Sequence, residues 1–377
     1  MSDVMGIIYT STEGHNLRDL TASRAVAALP IGGRYRVIDF ILSSMINSDI
    51  RNVGVIMQSN YHSLMDHLGS GREWDLHTRV DGLRILPPYL TMENGGTYQG
   101  ILDALHTNMS YLRRSRQEFV VIASGMTLMN GSLDDIVREH IRTGADITVA
   151  YTRDQSSMLA APSTGTKHAY LNLDDEQRLI GLEINPNAPE FRNLGIEVYV
   201  VRRKLLIYLV EQAVAQGMHL MMGDLLRSRM QDGSLDIRGY EYKGFVRRIE
   251  TVEGYFRMNL DLLEPEKRAA VFGEYPVFTK TRDEAPAKYM DGSSCVNSLV
   301  GDGCVIEGTV ENSVLFRGVH IGRGAVVRNC VLFQDSEIMD GAELENVIFD
   351  KAVTIRRKGR LVGQPLFPIV VGKNTTL

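Results

Sequence analysis

The sequence predicts an α/β domain, built on a mostly parallel or mixed sheet with helices on both faces, followed by a C-terminal parallel β-helix. Two observations carry this. Asn312-Ser313-Val314-Leu315-Phe316 recurs as Asn329-Cys330-Val331-Leu332-Phe333 and again as Asn346-Val347-Ile348-Phe349-Asp350, each time after 17 residues. Over the first 250 residues, short apolar runs alternate with amphipathic segments. Ile321, Ile338 and Ile355 keep the same beat, as do Gly324 and Gly341, and an earlier copy, Asn297-Ser298-Leu299-Val300, lies 15 residues before the first. Such a period is too short for a helical pair and too long for a hairpin. Three short strands with turns fit one rung of a β-helix, whose rungs must stack to bury their inner face.

Upstream, Val4–Tyr9, Val53–Met57, Phe119–Ala123, Ile147–Tyr151 and Ile196–Val201 read as strands. Tyr98, Ile101, Leu105, Met109 and Leu112 fall on one helical face, and so do Leu133, Ile136, Val137 and His140, with Asp134 and Asp135 suited to a first turn. Continuous apolar strands separated by helices imply a sheet covered on both sides, with ligands at the strand C-termini. Asp174-Asp175 is expected to turn a hairpin between Ala169–Leu173 and Leu179–Leu182. Tyr255–Leu263 reads as a helix ended by Pro265, and the tail 365–371 as a last strand. The expected division is residues 1–264, a connector over 265–291, and the β-helix over 292–377.

Composition narrows the function. At 377 residues the chain is long enough for two cores, and a net charge of -5 offers no general attraction for nucleic acid or anionic membrane. No apolar run reaches the roughly 18 residues needed to span a bilayer. The N-terminus lacks a basic segment leading into an apolar one, so no secretory signal is expected and the compartment is read as cytoplasmic. Cys295, Cys304 and Cys330 read as small fillers of the coil core.

Several long strings resemble the ADP-glucose pyrophosphorylase (glucose-1-phosphate adenylyltransferase) family. They include Arg24-Ala25, Pro30-Ile31-Gly32-Gly33-Arg34-Tyr35-Arg36-Val37-Ile38-Asp39-Phe40, His62-Ser63-Leu64, Gly71-Arg72-Glu73-Trp74-Asp75-Leu76 and Tyr98-Gln99-Gly100 with Asp103-Ala104. The resemblance covers nearly the whole chain. It implies a Rossmann-like nucleotidyltransferase domain joined to a left-handed β-helix, and a place in the synthesis of ADP-glucose from glucose 1-phosphate and ATP.

The departures from the family's pattern carry the functional reading. The glycine-rich nucleotide loop is reduced to Gly14, with Glu13 adding charge and Asn16 at the arginine position. The loop lysine becomes Val26 in Arg24-Ala25-Val26-Ala27. The metal-site aspartate after Ser124-Gly125 becomes Met126, whose thioether cannot replace a hard oxygen ligand for magnesium. The glucose-1-phosphate lysine aligns with Asn185, and the second metal-site aspartate with Arg248. Nucleotidyl transfer is mostly positioning and neutralising phosphate charge, so these five losses imply little catalysis. The pattern resembles the GlgD-type branch, the partner of a catalytic subunit in a heterotetramer that it modulates, with no metal or other cofactor of its own. Homo-oligomers are a further expectation, because a β-helix rim and a sheet edge both invite pairing.

Gly14, Gly96, Tyr98, Gln99, Gly100, Asp103 and Glu183 form the expected remnant of the nucleotide and sugar pocket, although Gly95-Gly96 and Thr97 equally suit a plain turn and cap. Arg24, Arg34 and Arg36, with Arg356, Arg357 and Lys358, form a candidate site for a phosphorylated effector between the domains. The plainer alternative is a solvated basic face or interdomain salt bridges. His62, His67 and Trp74 read as structural, lacking a metal-ligand cluster. Two rival readings stand beside the main one. In the first, Asp103, Glu183 or Asp224 recruits magnesium and the chain is an active adenylyltransferase. In the second, the β-helix docks a partner outside the pathway.

Overall fold

The fold is taken from a computed structural model that describes residues 3–10, 15–88, 98–154, 168–219 and 222–377. Nine strands form the main sheet: β1 (Val4–Tyr9), β2 (Asn52–Ile56), β3 (Gly82–Leu86), β4 (Phe119–Ser124), β5 (Ile147–Thr152), β6 (Ala169–Leu173), β7 (Leu179–Ile184), β8 (Asn193–Arg202) and β9 (Ile237–Glu241). Their spatial order is β7-β6-β8-β4-β1-β2-β3, with β5 also paired to β8 and β9 beyond it. β4-β1-β2-β3 and β5-β9 are parallel, whereas β8 runs antiparallel to β4, β5 and β6.

Period-2 alternation explains why the strands are apolar throughout. Val4, Ile8, Val121 and Ala123 pack on one side with Ile41 and Ile136 from helices Val37–Asn47 and Asp134–Thr143. Met5, Ile7, Val120 and Ile122 pack on the other with Leu102, Leu105, Leu206 and Leu209. The Asp174 turn closes the β6–β7 hairpin, its Oδ1 accepting from the amides of Glu176 and Arg178.

The long helix expected from Tyr98 to Leu112 is two, Ile101–Thr107 and Met109–Arg114. Asn108 at the break turns its Nδ2 to the Ala104 carbonyl (2.9 Å) and the Tyr98 hydroxyl (2.9 Å), a side-chain alternative to the helical ladder. Pro265 does not merely end a helix. The preceding helix is Val252–Asp261, and Pro265 occupies the first turn of a new one, Pro265–Phe272, inside the expected connector.

The C-terminal region is a left-handed parallel β-helix of three five-stranded sheets, entered at Lys288–Tyr289. Register follows the repeat: Ile321 pairs with Ile338, Val327 with Leu344 and Val331 with Ile348. The repeating asparagines sit at left-handed corners, with φ of 43° at Asn297, 48° at Asn312, 49° at Asn329 and 51° at Asn346. Asparagine tolerates this region better than other residues with a Cβ. Cys304 and Cys330 are buried in the coil and Cys295 is half-buried; all three are free thiols.

The third sheet explains the unbroken Val-Leu-Phe run. Leu315, Leu332 and Phe349 point into the coil. Val314, Phe316, Val331, Phe333 and Ile348 point outward and join Leu17, Leu20, Phe40, Tyr255 and Leu262 in one core. Both faces of this sheet are therefore buried, and the two regions share apolar packing. Burying a side chain such as Phe333 contributes about 2–3 kcal/mol.

Candidate functional site

Two charged sites lie on this scaffold. The first is at the C-terminal ends of the parallel strands β1 and β4, beside the N-terminal half of antiparallel β8. After β4 the chain turns through Gly125 to Met126, and the short strand Thr127–Met129 pairs antiparallel with Val246–Arg248. The Ile249 amide donates to the Met126 carbonyl (3.2 Å), so the two positions read as lost metal ligands are neighbours. Met126 is buried in one apolar cluster with Leu17, Val26 and Ile249. Val26, read from the resemblance as a lost lysine, thus belongs to the same buried hydrocarbon cluster as Met126.

Arg248 is almost wholly buried (side chain 1% exposed), with Nε 3.0 Å from Glu250 and Nη1 3.5 Å from Glu197. Nε2 of His168 lies 3.1 Å from the other Glu250 oxygen. Burial pushes the Glu250 carboxyl up, but the His168 hydrogen bond and the Arg248 charge outweigh it and hold it below its ordinary value. Glu197 sits at a β-bulge of β8 with φ 57°, a conformation that re-aims a side chain out of the pleat. Burial, then the Glu197 charge, holds the neighbouring Tyr9 phenol well above its usual range.

The other predicted positions disperse. Asn185 is exposed beyond β7, its amide donating to the His168 carbonyl (2.8 Å). Asn16 lies in the 3-10 segment His15–Thr21. Tyr98 is buried, its hydroxyl donating to the Pro87 carbonyl (3.1 Å). Asp103 accepts from the Gln99 amide (2.8 Å), and Gly100 precedes that helix. Glu183 accepts from the Glu190 amide (3.0 Å). Gly14 and Gly96 lie outside the described residues. Among the described residues no three His, Cys, Asp or Glu side chains cluster as metal ligands. Met126 and Arg248 do not suit magnesium.

The second site is a cavity of about 570 Å³ between the sheet region and the β-helix. Eight cationic side chains line it: Arg24, Arg34, Arg36, Lys280, Arg282, Arg317, Lys351 and Lys373, against the carboxylates Asp66, Glu284 and Asp302. Arg34 and Arg36 are presented by the hairpin Pro30–Arg36, which turns at Gly32 and Gly33 with φ of 61° and 80°. At Gly32 a Cβ would also meet Leu262 Cδ1 at 2.9 Å. Arg36 Nη1 donates to the Ser63 hydroxyl (3.0 Å). Beneath it His67 pairs with buried Asp39 (2.5 Å) and packs edge-on against Trp74, a structural role for both.

Arg24 is buried and its Nη2 donates to both oxygens of Asp350, at 2.7 and 2.9 Å. The cations crowd one another. Burial, then Arg36 and Arg24, brings the Lys351 ammonium down to about 8. Burial also presses Arg36 down to about 10, with Arg24 and Arg282 adding to it and Asp39 opposing. Arg24, Arg34 and Arg36 thus meet as expected, but Arg356, Arg357 and Lys358 lie outside this lining. Arg356 and Lys358 are exposed on the last rung, and Arg357 pairs with Asp340 at 3.3 Å. Sequence reading did not anticipate Lys280, Arg282, Arg317, Lys351, Lys373 or Glu197. A lone carboxylate inside the apolar run Ile196–Val201 was the available signal for the last.

Known proteins match this layout. A nucleotidyl transferase family model matches residues 5–243, and a model described as GlmU-like, C-terminal hexapeptide matches 285–365. The glycogen biosynthesis protein GlgD of Bacillus subtilis is 34% identical over 376 residues, covering 99% of this chain and 96% of the relative. The chain belongs to the GlgD/glucose-1-phosphate adenylyltransferase family. GlgD of Geobacillus stearothermophilus is 36% identical over 325 residues, covering 86% and 82% of the two chains. A glucose-1-phosphate adenylyltransferase of Clostridium perfringens is 30% identical over 340 residues, covering 89% and 84%. The family's fold is thus present from end to end. No helix among the described residues is long and apolar enough to cross a membrane.

Proposed function

We propose that this chain is a non-catalytic or nearly inactive regulatory subunit in glycogen synthesis. It assembles in the cytoplasm, as a heterotetramer, with the catalytic subunit that makes ADP-glucose and diphosphate from glucose 1-phosphate and ATP. The carrying observation is the Arg248 network. Where the family resemblance places a metal aspartate, a buried guanidinium is already neutralised by Glu197 and Glu250. Its neighbour Met126 offers only a thioether in an apolar cluster. A magnesium ion there would meet a fixed positive charge and no hard oxygen from either position. Without an ion, the charge developing on a transferring phosphoryl group goes uncompensated.

The interdomain cavity supports the regulatory half of the proposal. Its surplus of guanidinium and ammonium groups suits a phosphorylated small molecule. Contact with both regions lets such a ligand bias their arrangement, and hence the partner subunit.

Purified alone with magnesium, the chain is expected to make no ADP-glucose at ordinary enzyme rates. Mixed with the catalytic subunit, it is expected to co-elute with it and to shift its saturation curves. Ordinary rates from the chain alone would overturn the first half. Failure to associate would overturn the second.

A further inference from the structure

We propose that Asp350 is a built-in anion buried just behind the lining of the interdomain cavity: it holds Arg24 in the absence of ligand and competes with an incoming phosphate group for that guanidinium. This rests on the anion-binding reading of the cavity and names the residue that sets its affinity.

The repeat itself marks Asp350 as an exception. In two successive rungs the outward residue at this corner is Phe316 and Phe333, both fully buried against the sheet region. The next rung stacks in register, and Asp350 takes that place at the same depth. A carboxylate is a poor choice for packing alone, because a buried ion pair is often matched or bettered by apolar residues of similar volume. Its partner is equally buried. Arg24 Nη2 is committed to Asp350, while Arg24 Nη1 is buried without a hydrogen-bond partner among the described residues. Arg24 also stands over the Phe333 ring, 5.7 Å from its centroid, so its position is fixed by packing as well as by charge.

The surroundings decide what Asp350 does. Lys351 and Arg36 line the same cavity as Arg24, while of the lining carboxylates Glu284 is engaged with Arg317 at 3.1 Å. The Lys351 amide donates to Asp350 Oδ1 at 2.6 Å, which seats the carboxylate beside the cationic group. One internal negative charge therefore limits the repulsion among these cations. A phosphate in the cavity would do the same work, and the two anions would repel each other.

The test compares the wild type with Asp350→Asn by isothermal titration with inorganic phosphate and with diphosphate, at constant ionic strength. Asp350→Asn is expected to bind about tenfold more tightly. It is also expected to melt at lower temperature in phosphate-free buffer and to recover on adding phosphate. Unchanged or weaker binding in Asp350→Asn, with a wild type that binds, overturns the role of Asp350 and leaves the cavity reading standing. Silence from both proteins overturns the cavity reading and this inference with it. If Asp350→Asn is unfolded in phosphate-free buffer, circular dichroism is read while phosphate is added. Recovery with phosphate but not with chloride at equal ionic strength supports the proposal, and no recovery overturns it.

Discussion

At the strand ends one buried guanidinium, Arg248, faces two carboxylates, Glu197 and Glu250, with His168 behind them. Between the two regions of the chain, eight cationic side chains face three carboxylates. Both places gather charge, the first buried and the second partly open to water, and they resolve it differently. In the first, the guanidinium is already matched by carboxylates of the chain itself. The second keeps a surplus of cations even after Asp350 takes up Arg24. On the proposed reading, phosphate is held at the seam with the β-helix and not at the strand ends.

The largest way to break this contrast is to remove Arg248. Arg248→Met leaves two carboxylates without their cation and is expected to cost about 3–5 kcal/mol, read by urea denaturation. A loss under about 1 kcal/mol would mean that the network is not closed. Phosphate sharpens the other side. At 100 times its dissociation constant it is expected to stabilise the wild type by about 2.7 kcal/mol in thermal melts. Arg36→Ala is expected to abolish most of that gain, and an undiminished gain would place the anion elsewhere.

Smaller effects test the details. Asn329→Ala forces alanine into a corner with φ 49°. It is expected to cost about 1–2 kcal/mol by denaturation while leaving phosphate binding unchanged. Lys351 gives a pH signature. Its folded value of about 8 lies below the roughly 10.4 of an unfolded chain. The folded state therefore releases this proton first, and stability should climb as pH rises from about 8 towards about 10. Lys351→Met should flatten the climb, and so should saturating phosphate. A wild-type melting temperature that falls or stays level across this window, in phosphate-free buffer, would contradict the crowding described for the cavity.

Sequence reading was strongest where periodicity carries the information. The beat of 17 residues anticipated the coil rungs, because each rung repeats one local geometry; that the asparagines form its left-handed corners came from the structure. The apolar runs located the strands for the same reason. It was weaker where one side chain overrides a pattern, as Asn108 does in breaking a continuous helical face. It was weakest for encounters across the chain. Arg24 and Asp350 are separated by 326 positions, and nothing local to either says that they meet. The substitutions at Val26, Met126 and Arg248 were visible one by one. That two of them are sealed in hydrocarbon, and the third clamped by Glu197 and Glu250, needed coordinates. Arg356, Arg357 and Lys358 show the converse, since a basic run is conspicuous in sequence and here faces outward.

The outward row of Val314, Phe316, Val331, Phe333 and Ile348 has a practical corollary. A cut in the connector would bare a greasy stripe on the coil and its imprint on the other fragment. Neither piece would stay soluble by itself, and heating should melt the chain in a single cooperative step rather than two. What looks from the sequence like a natural breakpoint for making truncated versions is therefore the worst place to sever this molecule.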